Sequence, residues 1–105
     1  MEPLPGGEGV MALNGVWVLL GDAGQHPAGV YTSRDRAEKD IAKHGLTGML
    51  TLQPVDELTY DWAIRNKYFS PSKDYQTSAR FIQRFSTASA EHFRYEAGKR
   101  VEYEA

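Results

Sequence analysis

The chain has 105 residues, 41% hydrophobic and 25% charged, with a formal net charge of −2 and no cysteine. Such values fit one globular domain with one modest core, and they exclude disulfides, iron–sulfur ligation and thiol nucleophiles. The longest apolar run, "GVWVLLG", is far short of the roughly 20 residues a membrane helix requires, so no membrane span is expected.

The opening "MEPLPGGEGVMALNG" lacks a basic n-region and is broken by Pro and Gly, so no secretory leader is expected and a cytoplasmic location is assigned. Residues 1–13 are expected to form a flexible tail, 14–98 a single domain and 99–105 a second tail. "VWVLL", 16–20, is β-branched and apolar throughout and predicts a strand. The loop "GDAGQHPAG", 21–29, leads to a short β-prone "VYT", so the two strands form a hairpin. The next segment, "TSRDRAEKDIAKHG", predicts a helix with Thr32 as N-cap and Asp35 three residues on. Opposite charges stand at i,i+4 in Arg34–Glu38, Asp35–Lys39 and Arg36–Asp40. Ala37 and Ile41 form a narrow apolar stripe, and Gly45 suits the residue after the helix.

"LTGMLTLQP", 46–54, reads as a strand that stops at Pro54. A helix over about 57–68 follows, with Asp56 as N-cap, apolar pairs Leu58–Trp62 and Tyr60–Ile64, and an Asp61–Arg65 ion pair. "SPSKDYQTS" is a loop by composition. "RFIQRF" and "HFRYE" each alternate as strands do, with "STASA" as a turn, while Phe81, Phe85, Ala88 and His92 also fit one helical face. A hairpin is preferred and the helix stays open. The order β-β-α-β-α-β-β predicts an α+β domain, a mainly antiparallel sheet with two helices packed on one face.

No catalytic constellation stands out. The glycine loop runs into a strand rather than a helix, so it makes no phosphate cradle, and no cofactor is expected. His26, His44 and His92 are far apart and no two share i,i+4 spacing, so no metal is expected. Ser86 or Ser89 near His92 and Glu91 would need triad geometry that neighbours on a strand do not supply. The protein is therefore expected not to be an enzyme.

Charge is distributed unevenly. Residues 1–64 carry four basic residues against nine acids, a net −5; residues 65–100 carry eight against three, a net +5. That second segment also holds Tyr68, Phe69, Tyr75, Phe81 and Phe85. Trp62 is assigned to the core. Tyr68, Phe69 and Tyr75 either staple a helix end or contact a partner, since tyrosine suits half-wet surfaces. The candidate binding surface is Tyr68, Phe69, Lys73, Tyr75, Arg80, Arg84, His92 and Arg94. An unidentified protein is the expected partner, with nucleic acid bound through the same aromatic and basic face as the alternative. The oligomeric state is left open.

The stretches "AGVYTSRDRAEKDIAKHGLTGMLTLQP", "YDWAIRNKYFSPSK" and "FIQRFSTASAEHFRYE" resemble a small bacterial domain family of unknown function. Its pattern includes "SGVF-S-E-AE-WI-KH-LTG-LT-YP", "YDWA", "F-P-K" and "FI-RFSSASQEH-HYE", and the likeness covers about residues 15–98. Asp40 stands where that family commonly shows tryptophan, and "QPVDELT" replaces a more aromatic segment. The resemblance implies a solitary domain like those of toxin–immunity and other bacterial conflict loci. It supplies no catalytic residues.

Overall fold

Val16, Val18 and the apolar residues beside them favour extended backbone, and they lie in the first strand, β1 (Gly15–Gly21). The computed structural model describes residues 15–102, so the tail expected over 1–13 lies outside the described residues. The loop after β1 turns the chain into β2 (Gly29–Tyr31), antiparallel to it, with Trp17 opposite Tyr31 and Val18 opposite Val30. The expected hairpin is present.

The first helix, α1 (Arg34–His44), starts one residue later than its expected cap. Ser33, not Thr32, is the N-cap, and its Oγ accepts from the Arg36 N–H at 3.2 Å. Gly45 stops the helix in the left-handed region at φ 63°, and the Leu46 N–H reaches back to the Ile41 carbonyl at 3.0 Å. β3 (Gly48–Pro54) then pairs with all seven residues of β1. β4 (His92–Glu96) adds to β3, and β5 (Lys99–Arg100) adds to β4. The sheet order is β2-β1-β3-β4-β5 with every neighbour antiparallel. The fold is α+β, and β5 takes in two residues of the segment expected as a C-terminal tail.

Residues opposite one another in an antiparallel ladder share a face, which places Leu19, Leu50 and Phe93 in one row. Against this face α1 lays Ala37 and Ile41, both at 0% exposure, and with Leu19, Leu50 and Tyr95 they make the main core. Burying each large aliphatic side chain there stabilises the fold by roughly 1.5–3 kcal/mol. The narrow stripe suffices because alanine lets the helix approach the sheet closely. The β4–β5 turn adopts positive φ at Ala97 (51°) and Gly98 (85°), the geometry of a tight hairpin. A Cβ on Gly98 would stand 3.1 Å from the Ile41 carbonyl oxygen, so this turn seals the end of α1.

A second, aromatic cluster surrounds α2 (Thr59–Arg65), which is shorter than the expected 57–68. Asp56 is not its N-cap: it sits at φ 63° in the preceding turn, and Leu58 takes the cap position with no side-chain bond. Arg65 passes over Asp61 and grips Glu57 through two hydrogen bonds of 2.8 and 3.0 Å. Trp62 and Ala63 are buried with Ala90 against Phe69 and Phe85, as the core assignment of Trp62 required.

The preferred hairpin over 80–96 is overturned. Asp74–Thr77 forms a 3₁₀ turn and Ala79–Gln83 a short helix, α3; only "HFRYE" is a strand. Ser78 decides this locally, because its Oγ accepts from the Phe81 N–H at 3.2 Å and donates to the Tyr75 carbonyl at 2.7 Å. Helical spacing then brings Phe81 and Phe85 to the same side, where they meet the rings of Tyr60 and Phe69.

Candidate functional site

Tyr60 is the hub of the aromatic cluster. Its ring centroid stands 5.8 Å from Phe69, 6.2 Å from Phe81 and 5.5 Å from Phe85, the last two edge-on. Such tilted and edge-to-face pairs add stabilisation beyond the area they bury. The Tyr60 hydroxyl donates to the Gln76 carbonyl at 2.7 Å, and the Gln76 Oε1 accepts from the backbone N–H groups of Ser72 and Lys73 at 2.8 and 3.0 Å. These bonds hold the 72–76 loop against α2 and fix where Tyr75 projects.

A cleft of 630 Å³ opens on this assembly. Phe69, Phe81 and Phe85, each half-buried, supply apolar wall, while Tyr68 and Tyr75 are 55% and 58% exposed. Arg80 and Arg84, one helical turn apart, stand beside the rings, with the Ser86 and Thr87 hydroxyls also on the lining. Among the described residues no acidic one lines the cleft. Neither arginine forms an ion pair with an acid among the described residues, whereas Arg34, Arg65, Arg94 and Arg100 each do. The site can thus receive a planar or bulky apolar group and hold an anion beside it.

Five of the eight residues singled out in the sequence meet here: Tyr68, Phe69, Tyr75, Arg80 and Arg84. The other three stand apart. Lys73 is exposed ahead of the 3₁₀ turn and does not line the cleft. His92 is exposed on β4, and its ring bonds the Ala90 carbonyl through Nδ1 at 2.8 Å, which makes Nδ1 the protonated nitrogen. Arg94 grips Asp22 with two bonds of 2.8 Å and lies 3.5 Å from Glu96. Those bonds hold the Asp22 carboxyl below its ordinary range and push the Arg94 guanidinium up.

Phe81 and Phe85 were missed as site residues because an extended reading of "RFIQRF" separates them. The signal was available: Ser78 in capping position, and Arg80–Arg84 and Phe81–Phe85 both spaced at i,i+4. A separate hollow of 500 Å³ lies beside Tyr95, lined by Arg34, Glu38, Arg100 and Glu102 among others. Its arginines face Phe93 at 4.5 and 5.4 Å and are matched by the two glutamates, so it carries no excess charge. Among the described residues no cluster of three or more His, Asp or Glu could hold a metal ion, and no helix is long and apolar enough to cross a membrane.

Residues 16–101 match the family described as Domain of unknown function (DUF7710). The chain belongs to that family. The DUF7710 match spans β1 to β5 and so includes the whole cleft. It agrees with the resemblance to a small family of unknown function seen in the sequence. No curated protein and no solved structure is a significant match.

Proposed function

We propose that the protein is a small cytoplasmic binding module, acting without catalysis, that captures an acidic protein partner at the aromatic cleft. The observation that carries this is the pair Arg80 and Arg84, left without acids among the described residues, beside a wall of phenylalanine and two exposed tyrosines. Aromatic residues and arginine are the side chains that dominate protein interfaces, where a desolvated ring anchors and a guanidinium forks onto a carboxylate. The resemblance to small proteins of toxin–immunity loci supplies an immunity-like role as the biological setting.

Single-stranded nucleic acid is the second reading, since exposed rings and arginines also serve for base stacking and phosphate contact. A nucleic-acid track requires cations spread along several phosphates. Arg65 is engaged by Glu57, Arg94 by Asp22 and Arg100 by Glu102, so among the arginines of residues 65–100 Arg80 and Arg84 are the pair without an acid among the described residues, which favours a protein ligand.

The test is capture from the native host with wild-type protein and the Arg80→Glu/Arg84→Glu variant, followed by binding of each purified candidate. The expected outcome is an acidic partner whose binary complex weakens at least about tenfold in the variant, equivalent to about 1.4 kcal/mol. A complex indifferent to the charge reversal would overturn the proposal. Oligonucleotide binding that falls steeply with salt and needs the same arginines would transfer the site to the second reading.

A further inference from the structure

The segment that begins with α3 repeats a two-residue step, Arg80-Phe81 and then Arg84-Phe85. Backbone bonds from Arg84 to Phe81 and from Phe85 to Ile82 carry the turn on past Gln83. Consecutive residues of a helix stand about 100° apart around its axis, so each cation flanks a ring. A ring and a cation are thus offered side by side, twice.

The rings are fixed from behind. Phe81 and Phe85 stand 5.8 and 5.0 Å from Phe69, and 6.2 and 5.5 Å from Tyr60. The two exposed tyrosines are braced likewise, Tyr68 at 5.4 Å from Trp62 and Tyr75 at 5.7 Å from Phe81. Rings held by other rings lose little freedom when a ligand arrives. The volume of 630 Å³ falls within the range of about 300–1,000 Å³ for small-molecule sites, which are also mostly apolar with a few polar groups.

The polar side of the cleft is cationic. Arg80 and Arg84 pair with no acid among the described residues, and the Ser86 and Thr87 hydroxyls add donors. In the hollow beside Tyr95, by contrast, Glu38 and Glu102 match the two arginines. Side chains one turn apart have Cβ atoms about 5–6 Å from one another, so both guanidinium forks can converge on one group. One dianion balances the two charges. A phosphomonoester supplies that charge and three acceptor oxygens, whereas a carboxylate supplies a single charge.

We infer that the cleft is a ligand site for a small aromatic phosphomonoester. Its ring lies against the phenylalanine wall and its phosphate between Arg80 and Arg84. This goes beyond the protein-binding proposal and does not rest on it, although the ligand would compete with an acidic partner for the same two arginines. The ring can belong to a nucleotide or to an aryl ester, since the recognising chemistry is shared.

The test titrates the isotope-labelled full chain with naphthyl phosphate, naphthoate, naphthol, inorganic phosphate and adenosine monophosphate, following backbone amide shifts. Naphthyl phosphate is expected to give saturable shifts at Phe81 and Phe85. It should bind at least about tenfold tighter than naphthol or inorganic phosphate, and tighter than naphthoate. Its advantage over naphthol should vanish in Arg80→Gln/Arg84→Gln, whose exposed substitutions leave the urea midpoint unchanged. Either order of naphthyl phosphate and adenosine monophosphate supports the site, the tighter of the two naming the source of the ring. Equal binding of naphthyl phosphate and naphthoate would overturn the phosphate assignment, and equal binding with inorganic phosphate would overturn the role of the rings. If no probe gives saturable shifts while a purified acidic partner still binds, this inference falls alone.

Discussion

Tyr95 shows how one side chain joins two layers. Its ring is sealed at 2% exposure in the sheet core, while its hydroxyl reaches the rim and donates to Glu38. Burial first, and the Glu38 carboxylate second, disfavour the phenolate, so Tyr95 titrates well above the ordinary tyrosine range. The sign follows from linkage: an acid whose folded pKa is raised contributes stability that is fully present below its unfolded pKa, about 10, and is lost as pH climbs through and beyond that value. Urea unfolding at pH 9 and pH 11 should therefore show a larger loss for wild type than for Tyr95→Phe, which cannot ionise. At pH 7 the same substitution should cost about 1 kcal/mol through the lost hydrogen bond. An equal alkaline loss in both proteins would assign the effect elsewhere, Tyr31 being the next phenol raised, by burial and by Asp40. Residue-level spacing rules were only partly reliable guides. Arg34–Glu38 forms as i,i+4 spacing predicts, at 3.7 Å. Arg65 prefers Glu57 to Asp61 because the turn before α2 delivers a carboxylate that it can grip with two bonds.

At the scale of elements, α3 is the least self-sufficient. Five residues cannot sustain a helix by propensity alone, since nucleation costs more than one turn returns. It persists because Ser78 closes both the 3₁₀ turn and the helix start, and because Phe81 and Phe85 dock on Tyr60 and Phe69. Ser78→Ala should lower stability by about 1 kcal/mol, within the usual 0.5–2 for a lost N-cap, measured by urea midpoint. Ser78→Thr should retain most of it. If Ser78→Ala unfolds at the wild-type midpoint, ring packing alone holds the helix. Here the sequence was ambiguous for a physical reason: over six residues a period of 2 and a period of 3.6 are barely distinguishable. α1, with eleven residues, three opposite-charge pairs at i,i+4 and a glycine stop, left no such doubt.

Across the whole molecule two cores divide the work. The central β1–β3 ladder with α1 forms one, and the rings around α2 and α3 form the other. Long-range pairing runs along all seven residues of β1 and β3, whereas α3 is brief and borders an open cleft. Hydrogen exchange should therefore find the ladder-bonded amides of β1 and β3 protected at least about tenfold more than those of α3, because local opening of the aromatic unit need not disturb the sheet. Uniform protection throughout would mean that the two clusters unfold as one. Local opening of this kind would give the candidate site room to adjust.

The strands β1 to β4, the first helix, the absence of cysteine chemistry and the contrast between an acidic and a basic segment were legible in the sequence by itself, whereas the strand expected over "RFIQRF" is a helix and β5 was not expected. Each depends on local backbone preference, on periodicity or on composition. Which cations remain available was not. Arg94 lies 72 positions from Asp22 and the two meet only across the folded sheet. Phe93 and Tyr95 lie in the same basic segment as Tyr68 and Tyr75, and strand register turned the first two toward the core while the loop geometry left the second two in water. Composition counts rings and charges, but neutralisation and burial are set by contacts between distant residues, and those only the tertiary structure decided.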